Sequence, residues 1–138
     1  MDYVGAKVAL FCKDQVLCYL RDNKPGLRWA AMWDLPGGGR EDNELPEACL
    51  LRELDEEFGL QFTQNRLIWR RVFQSITDAS RPSVFFAGRI SQAEIATIRF
   101  GDEGQGWAMM GVSDYVAHPN GIPEMQRRTA LAWAECQD

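Results

Sequence analysis

The sequence predicts a single α+β domain spanning residues 1–138. Three observations carry the prediction: strand-like runs come in adjacent pairs, an amphipathic helix separates the first pair from the second, and a further helix closes the chain. With 138 residues, 46% of them hydrophobic, the chain can bury one substantial core. No linker, internal repeat or low-complexity tract divides it.

Ala6 to Cys12 and Gln15 to Arg21 are rich in Val, Leu, Phe and Tyr, and Lys13-Asp14 separates them as the turn of a β-hairpin. Asp22 to Trp33 is a polar and aromatic loop. Its Arg28 and Trp29, together with Trp33, could frame a nucleobase, because guanidinium planes and aromatic faces both stack on rings; alternatively a tryptophan, Trp33 in the first place, belongs to the core. Trp33-Asp34-Leu35-Pro36 leads into the three glycines Gly37 to Gly39, which suit a tight turn and close approach of the backbone to a ligand.

A helix follows, with Pro46 in its first turn and Gly59 as its stop. At about 100° per residue, Leu50, Leu51, Leu54 and Phe58 share an arc suited to burial. Glu53, Glu56 and Glu57 share the neighbouring arc. Like charges at such spacings cost about 0.2–0.5 kcal/mol per pair, which a divalent cation would offset; otherwise they form a solvated acidic face. Arg52, four residues before Glu56, can pair with a carboxylate and hold it.

Leu67 to Ile76 and Ser83 to Ile90 read as strands joined by a turn at Thr77 to Pro82. Ser91 and Glu94 fit the capping box of a short helix up to Ala96. The segment from Ile98 to Gln105 is an acidic, glycine-punctuated loop before a strand through Gly106 to Met110. Val112 to His118 suits a short helix, and Pro123 to Cys136 a final one with Met125, Leu131 and Trp133 available for packing.

Cys12, Cys18, Cys49 and Cys136 form no Cys-x-x-Cys pair, and His118 has no acid or cysteine cluster beside it, which argues against zinc. Buried thiols are expected, in a cytoplasmic protein without leader or membrane span. A net charge of −5 sets the overall field against nucleic-acid polymers and acidic membranes. A polyphosphate ligand would therefore need local help from metal ions and arginines.

From Gly38 the chain runs Gly-x5-Glu-x7-Arg-Glu-Leu-x-Glu-Glu-x-Gly-Leu, with Glu44, Arg52, Glu53, Leu54, Glu56, Glu57, Gly59 and Leu60 at the fixed places. This string resembles the signature of the Nudix hydrolases at every defined position. The resemblance implies a mixed sheet between helices and a magnesium-dependent, or manganese-dependent, substitution at phosphorus. It implies metal ligands at Glu53, Glu56 and Glu57, with the Gly37 carbonyl added. Glu103 would be a further acid brought from its loop, unless it is an ordinary turn residue. The general base is left open among Glu56, Glu57 and Glu103. By the same resemblance Gly38, Glu44 and Gly59 support the motif, Arg52 orients without reacting, and Asn120 either reads a purine or fills a turn.

The expected substrate is a small nucleotide, first a nucleoside triphosphate, oxidised or not, cleaved to monophosphate and pyrophosphate. Gln74 to Asp78 contain neither the proline nor the tyrosine that marks family branches acting on ADP-ribose or diadenosine polyphosphates. A nucleotide-sugar or ADP-ribose pyrophosphatase, and a non-catalytic nucleotide-binding module, are the alternatives. The resemblance also leaves room for a homodimer.

Overall fold

A computed structural model describes residues 1–136. Its centre is β1 (Gly5–Cys12), whose Val8, Ala9 and Leu10 are fully buried. Burial on both faces explains why this strand reads as an almost unbroken apolar run. It turns through Lys13-Asp14 into β2 (Gln15–Leu20) with Cys12 opposite Gln15, as the hairpin reading expects. Two short strands follow, β3 (Trp33–Asp34) on β2 and β4 (Gly37–Gly39) on β1.

After α1 (Pro46–Phe58) come β5 (Leu67–Gln74) and β6 (Pro82–Arg89), an antiparallel pair. β6 runs parallel to β1 from Ala6 opposite Val84 to Phe11 opposite Arg89, which makes the sheet mixed. The chain then forms α2 (Gln92–Ile95), β7 (Gly106–Gly111) antiparallel to β2, α3 (Val112–Val116) and α4 (Pro123–Cys136). The sheet order is β3-β2-β1-β6-β5, with β4 added to β1 and β7 to β2. No helix among the described residues is long and apolar enough to cross a membrane.

Strand alternation divides the core into two layers. Val8, Leu10, Leu17 and Phe86 meet Leu50, Leu54 and Phe58 of α1 on one face, while Ala9, Phe11, Val16 and Phe85 meet Tyr115, Met125 and Ala132 of α3 and α4 on the other. The sheet is thus sandwiched between helices.

Three details differ from the sequence reading. The glycines do not form a tight turn but a strand: Gly37, Gly38 and Gly39 lie opposite Lys7, Ala6 and Gly5. Their small size matters for close approach instead, since a Cβ on Gly37 (φ 134°) would overlap the Ala6 carbonyl. Leu51 on α1 is only half-buried, whereas Glu57 is buried. The buried face of α4 is Met125, Arg128, Thr129 and Ala132, with Leu131 and Trp133 half-buried.

Local devices fix the helix ends. Gly59 closes α1 in the left-handed conformation (φ 66°), and its N–H bonds the Asp55 carbonyl at 2.9 Å. A Gly59→Ala substitution is expected to cost about 1 kcal/mol in urea unfolding, because alanine lacks glycine's freedom at positive φ. At α2 the predicted capping box is formed, with Glu94 N donating to Ser91 Oγ at 3.1 Å and Ser91 N to Glu94 Oε1 at 2.9 Å.

The Arg66 guanidinium grips both Glu94 oxygens at 2.8 Å and holds the carboxyl down at about 2. With the ordinary value at 4.5, this pair's contribution to stability is present above pH 4.5 and fades as the pH falls towards 2. Unfolding midpoints of wild type and Glu94→Gln should therefore differ at pH 6 and converge at pH 2.

Candidate active site

α1 presents its acids to the sheet because Leu50, Leu54 and Phe58, on the adjoining arc, are anchored in the core. Glu53 is half-buried and Glu57 only 8% exposed, while Glu56 stays in solvent. Gly38 lies directly over Glu53: a Cβ on Gly38 would come within 2.6 Å of the carboxylate. The first motif glycine thus makes room for an acid rather than for a bend.

Arg52 binds this corner together. It grips Glu44 through Nε (2.7 Å) and Nη2 (3.1 Å), the Gly39 carbonyl through Nη2 (3.0 Å), and Glu53 and Glu56 through Nη1 (3.0 and 3.1 Å). Its hydrogen bonds hold the Glu44 carboxyl below the usual range, and Glu44 raises the guanidinium in turn. One side chain therefore fixes β4, the preceding loop and two motif glutamates in a single arrangement.

Glu57 has no such partner. Gly37 N donates to its Oε1 at a long 3.4 Å, and burial pushes its carboxyl up to about 7, with Lys7 opposing and the charges of Glu53 and Glu103 adding to the rise. Burial also raises Glu53, against the pull of Arg52. Glu103 is exposed in the loop before β7. The flanks of that loop are tied down, Gly101 N to the Glu57 carbonyl at 2.8 Å and Gln105 N to the Leu20 carbonyl at 2.8 Å. The structure thus brings Glu103 into the electrostatic reach of Glu57, across 46 positions of chain.

Among the described residues no three Asp, Glu, His or Cys side chains converge as a metal cluster. Glu53 and Glu56 turn towards Arg52 instead, and the Gly37 carbonyl lies 3.4 Å from Lys7 Nζ. The donor set still suits a hard divalent cation: Glu57 is a desolvated carboxylate whose acidic neighbours make it harder to ionise, and a cation would reverse that.

A cavity of about 320 Å³ opens beside Gly38 and Gly39. Arg28 and Trp29 are among the residues that line it. Trp29 stands at φ 60°, in the left-handed region where a bulky side chain is strained. The loop is secured there: Arg21 Nε and Nη2 donate to the Arg28 carbonyl at 3.2 and 3.0 Å, and Arg28 Nη1 reaches Ile76 O at 2.9 Å.

Trp33 and Asn120 are not among the lining residues. Trp33 belongs to β3, where its N–H donates to the Asn120 carbonyl at 2.7 Å and its ring meets His118 edge-on. Asn120 thereby serves the backbone of a neighbouring strand, because β3 lacks a partner strand on that side.

Sequence reasoning passed over two groups of residues. Asp34, 2% exposed, accepts from Lys7 Nζ (3.0 Å), Arg21 Nη1 (3.2 Å), Tyr19 Oη (3.3 Å) and Leu35 N (2.7 Å). Burial pulls the Lys7 ammonium down, but Asp34 and its neighbours more than restore it. Arg128, also 2% exposed, crosses from α4 to β5 and β6. The available signal was a charge at an apolar position: Lys7 interrupts the apolar run of β1, and Arg128 falls on the helical arc of Met125 and Ala132. Cys12, Cys18 and Cys49 are buried thiols, as expected.

The site can be set beside known proteins. A family model described as NUDIX domain matches residues 3–132. Over 36 residues, 26% of this chain and 32% of the relative, the sequence is 58% identical to an 8-oxo-dGTP diphosphatase of Proteus vulgaris. Over 87 residues, 53% of the chain and 50% of the relative, it is 34% identical to an RNA pyrophosphohydrolase of Tolumonas auensis. These matches span about a third and a half of those curated relatives. Among solved structures, a MutT protein from Methanosarcina mazei Go1 superposes with a TM-score of 0.75 over 99% of this chain and 96% of that one, at 15% identity.

Proposed function

We propose, from the premise that this chain belongs to the NUDIX family, that it is a divalent-metal-dependent hydrolase of nucleoside diphosphate linkages. Its first substrate class is a free nucleoside triphosphate, cleaved to monophosphate and pyrophosphate. One observation carries the reading: Gly38 and Gly39 line the cavity, and Gly38 packs so closely against Glu53 that a Cβ would come within 2.6 Å of its carboxylate, so the cavity adjoins the acids of α1. The names of both curated relatives describe pyrophosphate-bond hydrolysis, one on an oxidised deoxynucleotide and one on RNA. The net charge of −5 favours the free nucleotide over the polymer.

NUDIX hydrolases generally need divalent metal ions. Glu53, Glu56 and Glu57, with the Gly37 carbonyl, would hold magnesium or manganese here. When bound, the ion neutralises charge on the diphosphate and acidifies a water molecule. Arg52 keeps Glu44, Glu53 and Glu56 at the site without touching the reacting atoms.

The water's proton needs an acceptor whose lone pairs are not spent. Glu56 is engaged by Arg52 and Glu57 is buried, whereas Glu103 is exposed and makes no ion pair or side-chain hydrogen bond among the described residues. Glu103 is therefore the proposed general base. Glu103→Gln should lower kcat by about 10²-fold with KM little changed; equal losses from kcat and from metal affinity would make it a ligand instead.

The reading is tested by release of pyrophosphate or phosphate from nucleoside triphosphates, ordinary and oxidised, ADP-ribose and nucleotide sugars, with and without magnesium. Metal-dependent turnover of triphosphates is the expected result. Ligand binding without turnover of any of them would overturn hydrolysis.

A further inference from the structure

We propose that the 320 Å³ cavity selects nucleobases that present hydrogen-bond acceptors, keto oxygens above all, over bases that present an amino group, with Arg28 and Arg128 as the discriminating donors. The proposal rests on the nucleotide reading above for the nature of the ligand and adds which bases it prefers.

The cavity wall is unbalanced in its hydrogen-bonding groups. Lys7, Arg21, Arg28 and Arg128 line it, and Asp34 is the one acid among the lining residues. Asp34 offers a ligand nothing, since it is buried and already accepts four donors. The hydroxyls are committed too: Ser83 Oγ accepts from Arg128 Nη1 at 3.1 Å, and Ser75 Oγ accepts from the N–H groups of Thr77 and Asp78 at 3.1 and 3.2 Å. Thr77 Oγ1 is paired with Ser75 Oγ at 3.0 Å, so each side-chain acceptor of the wall already has a partner within the protein.

The donors are not exhausted. A guanidinium carries five N–H groups. Arg28 spends one of its nitrogens on the Ile76 carbonyl. Arg128 makes three hydrogen bonds, to Glu124, Ser83 and the Gln74 carbonyl, and so keeps N–H groups in reserve. Trp29 Nε1, another donor, is buried without a partner among the described residues. Val84, Ile122 and Met125 supply apolar surface for the faces of a planar ring, and the volume sits at the lower end of the roughly 300–1,000 Å³ usual for small-molecule pockets.

A keto oxygen entering this wall meets an unspent donor, while the ring N–H that accompanies it faces the open mouth of the cavity. An exocyclic amino group meets donor against donor, leaving desolvated N–H groups unpaired on both sides. Arg28, which makes no ion pair among the described residues, also favours the partial negative charge of a carbonyl edge.

Two isosteric pairs test this in the magnesium-loaded protein: inosine against adenosine triphosphate, and uridine against cytidine triphosphate. The keto member of each pair should have the higher kcat/KM by about tenfold or more. Ratios near one, or reversed, in both pairs would overturn the proposal. Arg28→Met, at the exposed mouth, and Arg128→Lys, which keeps the charge but loses the planar fork, should each reduce the ratio, with folding checked by circular dichroism. Full selectivity retained in both folded variants would remove these arginines from the role. Should no triphosphate turn over, the hydrolase reading fails by itself. Calorimetric binding of inosine against adenosine monophosphate then decides the selection, tenfold tighter binding supporting it and equal affinity overturning it.

Discussion

Glu57→Gln is expected to lose about 10²–10⁴-fold in metal-dependent turnover while remaining at least as stable as wild type above pH 7. The two effects have one cause. Glu57 is buried beside Glu53 and within reach of Glu103, and its carboxyl stands at about 7 instead of 4.5. A carboxyl raised on folding stabilises the protein fully only below pH 4.5, and that contribution is lost as the pH rises through 7. At pH 8 without metal, the wild type thus carries a desolvated charge costing up to about 3 kcal/mol. Glutamine avoids that charge and can still accept from Gly37 N, so its urea midpoint should be equal or higher. Added magnesium should raise the wild-type midpoint and leave the variant's nearly unchanged. Unaltered turnover would sink the metal-site reading, and a collapse of stability at pH 8 would show that Glu57 is structural.

That opposition of stability and activity explains what the sequence displayed and what it hid. The acids of α1 were legible because helical geometry alone sets Glu53, Glu56 and Glu57 beside the arc of Leu50, Leu54 and Phe58. Arg52 was legible as a partner of Glu56 by the same spacing, but its bidentate hold on Glu44 and its bond to the Gly39 carbonyl depend on how β4 crosses the helix. Periodicity carries no information about that crossing. The glycines were misread as a turn for the same reason: only their pairing with β1 shows that Gly37 and Gly38 make room for the Ala6 carbonyl and the Glu53 carboxylate.

The cavity was less legible still. Arg28 and Trp29 were singled out by residue type and line the cavity, whereas Trp33 and Asn120, singled out by the same reasoning, lie outside its lining and pair with each other at the sheet edge. Arg128 and Lys7 went unseen because their partners lie far away in sequence, up to 54 residues for Arg128. A charged residue on a buried arc announces that a partner exists without naming it.

Asp34→Ala tests the most concentrated of those hidden contacts and should cost about 3–5 kcal/mol in urea unfolding. Asp34 balances Lys7 and Arg21 in a 2% exposed position, and Tyr19 and Leu35 N also donate to it. Removing it leaves the Lys7 ammonium among the carbonyls of Leu35 and Gly37 without its nearest counter-charge. The large cost comes from that stranded cation and not from the pair's net worth. A Lys7→Met, Asp34→Leu double variant should therefore recover much of the loss, because two apolar side chains need no counter-ion. Additive losses in the double variant would instead assign the cost to the bonds with Tyr19 and Leu35. Both residues line the cavity, so the recovered double variant should still show a raised KM for triphosphates, separating the stability of this cluster from its service to the site.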